Sequence, residues 1–173
     1  VKPYYYHYCF LNIFVNHILM SKQTFNFFKY HGCGNDFVIF DDTDSSALET
    51  VLSEKVEQIC HRRFGVGADG VIFLQTHSDP DVAFNMRYYN ADGSLGSLCG
   101  NGARCAVKCA RDVGLLKSKG MTRIIDSFQT RVKFVAADGP HYGDIQLNGT
   151  ISDNANKDLI SIHFHPIDLN TIE

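Results

Sequence analysis

No stretch of this chain is long and apolar enough to span a bilayer. The best run, Cys9 to Leu19, is broken by Asn12, Asn16 and His17, and a spanning helix needs about 20 apolar residues in succession. Nor do these residues carry the features of a cleavable secretory leader, a clean apolar stretch followed by small residues at a cleavage site. Basic excess is absent too. A net charge of −3 and a pI near 6.2 leave no electrostatic footprint for nucleic acid or an anionic membrane. There is no internal repeat, no low-complexity tract and no paired Cys-x-x-Cys knuckle. A zinc site built on Cys99, Cys105, Cys109 and a histidine is therefore a weak reading.

What is present fits an ordinary folded protein. The 173 residues are 45% hydrophobic and 20% charged, enough to bury a core without covalent staples. Six cysteines lie mostly in apolar or glycine-rich contexts, which reads as reduced thiols in a cytoplasmic protein. Residues 1–19, rich in Tyr, Asn and His, contrast with the rest of the chain. With Met20 a plausible natural start, they are expected to be a non-native or disordered leader.

The segment Phe25–Tyr30 and the segment Phe37–Phe40 read as strands flanking the turn His31-Gly32-Cys33-Gly34-Asn35-Asp36. A helix is predicted from Ser46, with Leu48, Leu52, Val56, Ile59 and Cys60 on one face and Gly65 as its stop. Strands are predicted at Val71–Leu74 and Val82–Tyr89, the second ending in the turn Asn90-Ala91-Asp92-Gly93-Ser94. The next helix covers 102–113. Ala106, Cys109, Ala110 and Val113 make its apolar face, Arg104, Lys108 and Arg111 its wet one, and Gly114 its end. Strands then return at 123–125, 131–135, 144–147 and 159–164, with Asp138-Gly139 as a hairpin turn. The class is α+β, hairpins around two helices.

Chemistry concentrates at Cys99-Gly100-Asn101-Gly102, just ahead of a helix. Unsatisfied N–H groups at a helix N-terminus carry partial positive charge, which favours a thiolate and suits the N–H groups of Gly100 and Asn101 to a carboxylate. Both properties serve removal of the α-proton of an amino acid: the thiolate takes the proton, and the donors stabilise charge spreading onto the carboxylate. Inversion needs a second acid on the opposite face, so one cysteine performs half of the reaction. By residue type alone, a cysteine in a glycine-rich turn is more often a small buried residue than a catalyst. Asn35 and Asn90 are equally turn formers.

The motifs decide between these readings. Phe28-Lys29-Tyr30-His31-Gly32-Cys33-Gly34-Asn35-Asp36-Phe37 resembles the opening strand and turn of the diaminopimelate epimerase family. His61-Arg62-Arg63-Phe64-Gly65-Val66-Gly67-Ala68-Asp69-Gly70 is similar to its second signature. Tyr89-Asn90-Ala91-Asp92-Gly93-Ser94, followed by Cys99-Gly100-Asn101-Gly102-Ala103-Arg104-Cys105, resembles its active-site signature. Four such motifs in order across about 80 residues make chance similarity implausible.

The resemblance implies a mixed, mostly antiparallel sheet wrapped around a central helix, as one of two pseudo-symmetric domains with substrate between them. It implies Cys99 as one of two catalytic cysteines and Asn35, Asn90, Gly100 and Asn101 as substrate contacts, with no metal and no cofactor, pyridoxal phosphate included. Where some members carry a substrate-touching glutamine, this chain has Gly70. The implied reaction interconverts the LL and meso isomers of diaminopimelate in lysine biosynthesis. Its only implied partner is this small-molecule substrate, and the resemblance allows a homodimer of the full-length protein.

No cysteine stands after Cys109. The expected organisation is therefore an N-terminal epimerase domain over 20–143 and the start of an incomplete second domain over 144–173, inactive alone and with apolar surface exposed. Another isomerase of the same fold, proline racemase-like or of the phenazine-synthesis type, and a non-catalytic truncated product are the alternatives.

Overall fold

The two most apolar runs of the chain become the centre of the sheet because both of their faces find cover. In the computed structural model, which describes residues 9–11, 16–20, 23–50, 53–117, 122–125, 129–146 and 159–164, these runs are β4 (Asn35–Asp41) and β5 (Gly70–Gln75). They pair in parallel. Phe37, Ile39, Ile72 and Leu74 face one core, and Val38, Phe40, Val71 and Phe73 face another. Strands buried on both faces read as continuous hydrophobic runs rather than as alternation.

Around them the sheet grows by antiparallel neighbours. β3 (Gln23–Gly32) joins β4, and β6 (Phe84–Asn90) joins β5. A second parallel pairing links β6 to β8 (Gln129–Ala136), which carries β7 (Thr122–Ile124) and β9 (Gly139–Gln146). β10 (Leu159–His163) closes on β9. At the other end, β1 (Cys9–Leu11) and β2 (Asn16–Met20) both lie antiparallel to β3. The leader expected to be disordered thus contributes backbone hydrogen bonds at 9–11 and 16–19, where β3 offers donors and acceptors that would otherwise go unpaired. Its other residues, like the polar stretch 152–158, lie outside the described residues.

The sheet curls around α3 (Gly100–Asp112). Small side chains make this possible: Ala103, Cys105, Ala106, Cys109 and Ala110 are all fully buried, letting Tyr30, Phe37, Ile72, Phe84 and Phe134 close on the helix. Of the wet face predicted for α3, only Arg111 is half-exposed. Arg104 and Lys108 are buried, 7% and 1% exposed, because strands cover that side as well. Lys108 is compensated by Asp112, whose oxygens lie 2.6 and 2.8 Å from its Nζ, and the Tyr30 hydroxyl donates to the same carboxylate at 2.9 Å.

The other core is roofed by α1 (Ser46–Thr50) and α2 (Ser53–Cys60). Leu52, expected to share their apolar face, falls outside the described residues. The helix stops at Cys60 rather than at Gly65. The carbonyls of Ile59 and Cys60 are taken by the N–H groups of Gly67 and Ala68, at 3.0 and 3.1 Å, so the chain turns there. Cys60 is a core residue, as its spacing predicts.

The boundary expected at 143/144 falls inside β9. Ile145 and Ile160 bury into the α3 core, and Asp144 ties β8 to β10 through Arg131 and His163. The described residues on both sides therefore belong to one sheet. In the β8–β9 hairpin the turn residues are Ala137 and Asp138, and Gly139, at φ +122°, opens β9. Large apolar side chains left exposed include Phe64, Leu95 and Phe164. Among the described residues, no helix is long and apolar enough to cross a membrane.

Candidate active site

The β3–β4 hairpin carries the first half of the site. Cys33 and Gly34 both adopt positive φ, +56° and +85°, the two-residue turn whose twist matches the flanking strands. This places Gly32 against the start of α3, where a Cβ would stand 3.2 Å from the Asn101 carbonyl oxygen. The turn thereby delivers Asn35 to Cys99, 64 residues further on.

Cys99 is the N-cap of α3, in extended conformation, and its side chain makes no capping bond. The thiol instead points to Asn35, with Sγ 3.6 Å from Oδ1. Asn101 Nδ2 donates to the same oxygen at 3.4 Å. Three of the predicted residues, Cys99, Asn35 and Asn101, therefore meet at one oxygen atom. Gly100 opens the helix beside them, and its backbone is approached by Phe164, whose Cζ lies 2.8 Å from where a Cβ would be.

Asn90 is held differently. Its Oδ1 accepts from the Tyr88 hydroxyl at 2.6 Å and its Nδ2 donates to Ser94 Oγ at 3.0 Å, so the amide is bound within its own turn. Burial, and the neighbouring Cys99 after it, push the Tyr88 hydroxyl up to about 12, which keeps it a donor at neutral pH. Gly70 makes no side-chain contact because none fits: a Cβ would lie 2.6 Å from both Tyr88 Cε2 and the Tyr89 carbonyl oxygen.

Residue-by-residue reading of the sequence missed Asp69, Tyr88 and Arg104. Asp69 Oδ2 accepts from Asn35 Nδ2 at 2.8 Å and from the Asp36 N–H at 3.0 Å. Arg104 donates to Asn101 Oδ1 and lies 3.8 Å from Cys33 Sγ. Asp69 and Arg104 stood inside the quoted motifs and Tyr88 one residue ahead of the third, but each touches another site residue rather than Cys99.

A charged lattice braces this hairpin. Arg62 bridges Asp36 and Asp69 at 2.8 and 2.6 Å, and Lys29 reaches Asp36 at 2.8 Å. Burial works to raise the Asp36 carboxyl, but Arg62 and Lys29 outweigh it and hold it well below the usual carboxylate range. Asp144 is lowered in the same way by Arg131 and His163 against its burial. A depressed folded pKa stabilises the native state above the unfolded value, about 3.9 for Asp, and that contribution fades as pH falls below it. Melting temperature is expected to drop steeply below about pH 4. Asp36→Asn and Asp144→Asn should each flatten that acid limb, as thermal melts across the range would register.

Among the described residues, no group of three or more His, Cys, Asp or Glu side chains is placed to hold a metal ion.

The diaminopimelate epimerase family profile matches residues 27–139, which hold every site residue above. The chain belongs to the diaminopimelate epimerase family. It is 36% identical over 145 residues to the diaminopimelate epimerase of Flavobacterium psychrophilum, covering 83% of this chain and 51% of that one. To the enzyme of Methanocella arvoryzae it is 46% identical over 95 residues, 55% of this chain and 32% of the other. The chain thus spans about half the length, or less, of these curated relatives. Two solved structures share the fold. One is a hydroxyproline epimerase from Agrobacterium vitis (TM-score 0.54, 16% identity, 90% of this chain and 47% of that chain). The other is a probable proline racemase from Agrobacterium radiobacter K84 (TM-score 0.55, 15% identity, 90% and 47%). The α+β class and the mixed sheet around a central helix stand as the resemblance implied.

Proposed function

We propose that these residues form one half of a diaminopimelate epimerase and supply one of its two acid/base thiols, Cys99. The observation that carries this reading is the convergence of Cys99 Sγ and Asn101 Nδ2 on Asn35 Oδ1 at the N-terminus of α3. A thiol beside the helix N–H groups meets both needs of α-proton abstraction: a base within reach, and donors for the carboxylate on which charge accumulates. Asn35, Gly100 and Asn101 orient the substrate, and Asn90 contributes from its turn. The chemistry asks for no metal and no pyridoxal phosphate. The opposite-face acid/base comes from a second domain of the same kind, which also completes the cleft. Reduced thiols suit a cytoplasmic setting, and the full-length enzyme is proposed to act on its small-molecule substrate as a homodimer.

The test is isotope exchange. Joined to a second, cysteine-bearing half, these residues should catalyse exchange of the Cα proton of diaminopimelate with deuterium from solvent, and leave proline untouched. Cys99→Ala should remove the exchange entirely. The 173 residues alone should not epimerise. Exchange on proline but not diaminopimelate would overturn the substrate assignment, and turnover by the 173-residue chain, lost in Cys99→Ala, would overturn the two-half reading.

A further inference from the structure

Amide side chains have two ends of opposite character, and which end faces a reactive thiol depends on what binds the other end. Asn35 and Asn101 are both constrained in this respect. A carboxylate only accepts, so the Asn35 atom 2.8 Å from Asp69 Oδ2 is its nitrogen, and Oδ1 is left facing Cys99. A guanidinium only donates, so the Asn101 atom bonded to Arg104 is its oxygen, and Nδ2 is turned toward Asn35.

We infer that Asp69 and Arg104 are positioning residues that set the polarity of the two amides at Cys99, so that the thiol meets an acceptor and not a donor. The four residues form one head-to-tail chain of donors and acceptors, running from the Arg104 cation through Asn101 and Asn35 to the Asp69 anion. Each bond polarises the next. Arg104 is suited to its end of the chain: it is 7% exposed, and its Nε is buried with no partner among the described residues, so Asn101 is a principal anchor of the guanidinium. Asp69 is fixed from its other oxygen by Arg62 at 2.6 Å. In this arrangement the Cys99 S–H donates to Asn35 Oδ1. An ammonium group arriving at the same oxygen displaces that bond and brings a positive charge beside the sulfur. This inference rests on Cys99 being the acid/base, and it adds what orients the polar atom that the sulfur meets.

The experiment is alkylation of Cys99 by iodoacetamide in the 173-residue chain, followed residue by residue by peptide mass spectrometry so that the exposed Cys33 is counted separately. Asp69→Asn lets the Asn35 amide turn over and present Nδ2 to the sulfur. The pH–rate profile should then move to lower pH, and the rate at neutral pH should rise about tenfold, since the thiolate is the reacting form. Loss of the Asp69 charge would also favour a thiolate, so the same substitution is repeated in an Asn35→Ala background. There the rise should shrink to the part that the lost charge alone supplies, whereas a rise that persists undiminished overturns the inference. So does an unmoved profile in Asp69→Asn.

A measurement on the unaltered chain covers the case in which the variant does not fold. In NMR, the Asn35 side-chain NH2 protons should follow the acid titration of the Asp69 carboxyl carbon with a common midpoint. Failure to follow it overturns the assignment. Both readouts are made without substrate. Absent isotope exchange alongside a shifted alkylation profile would count against the epimerase reading alone.

Discussion

Asp112→Ala is expected to cost about 3–5 kcal/mol of stability, the range found when one partner of a buried ion pair is removed. Asp112 accepts two contacts from the Lys108 ammonium and one from the Tyr30 hydroxyl, on a helix whose Lys108 is 1% exposed. Burial is the largest of the causes that hold the Tyr30 hydroxyl far above its ordinary range, and it remains when Asp112 is removed. The asymmetry of the pair is the sharper test. Lys108→Met leaves a carboxylate that is 14% exposed and still hydrogen-bonded to Tyr30, so it should cost much less than Asp112→Ala. Adding Lys108→Met to Asp112→Ala should recover most of the loss. Urea unfolding with an unchanged slope and a shifted midpoint measures all three variants on one scale.

Gly70→Ala is expected to lose about 2–3 kcal/mol, the scale of overpacking in a dense core. The added methyl would stand 2.6 Å from the Tyr89 carbonyl oxygen and 2.6 Å from Tyr88 Cε2, in a segment paired on both sides, to Phe37 on β4 and to Asn90 on β6. Two outcomes separate the backbone collision from the ring collision. If the ring alone mattered, Gly70→Ala combined with Tyr88→Ala would restore stability relative to Tyr88→Ala. Because the Tyr89 carbonyl is part of the β5–β6 ladder and cannot step aside, the double variant should remain destabilised. Displacing Tyr88 also removes the donor that holds Asn90, so the Asn90 side-chain amide signals in NMR should shift in Gly70→Ala.

The apolar runs at 37–40 and 71–74 are readable along the chain because pleat and composition agree there, and the Cys33-Gly34 turn is readable through its glycine. The period of α3 reveals the helix but not its surroundings. Arg104 and Lys108 recur on one face, and periodicity registers residue type without registering that strands from both ends of the chain close over that face. Asp112, the partner that makes Lys108 tolerable inside, reads in sequence as an ordinary acid near a helix end.

The candidate site divides along similar lines. Cys99 and the Gly100–Asn101 turn were legible from helix-terminus physics. Their meeting with Asn35 was not, since 64 residues of chain separate them and only the family resemblance linked the two motifs. Asp69 and Arg104 escaped because they act on the residues that act on the thiol. Asn90 was assigned by resemblance as a substrate contact, and the structure shows its amide engaged by Tyr88 and Ser94. The helix end at Cys60 was misplaced because the groups that take its last carbonyls, Gly67 and Ala68, come from beyond the turn.

A helix enclosed on every side also constrains the order in which the molecule assembles. The β3–β4 hairpin forms from neighbours in the chain, but the parallel pairings of β4 with β5 and of β6 with β8 need crossovers, and the second of these crossovers contains α3 itself. The helix is therefore expected to settle on the first half of the sheet before β8 and β9 fold over it, since a sheet already closed would shut it out. Entropy spent on those long loops is recovered only when the late pairings close, so folding is expected to be slow.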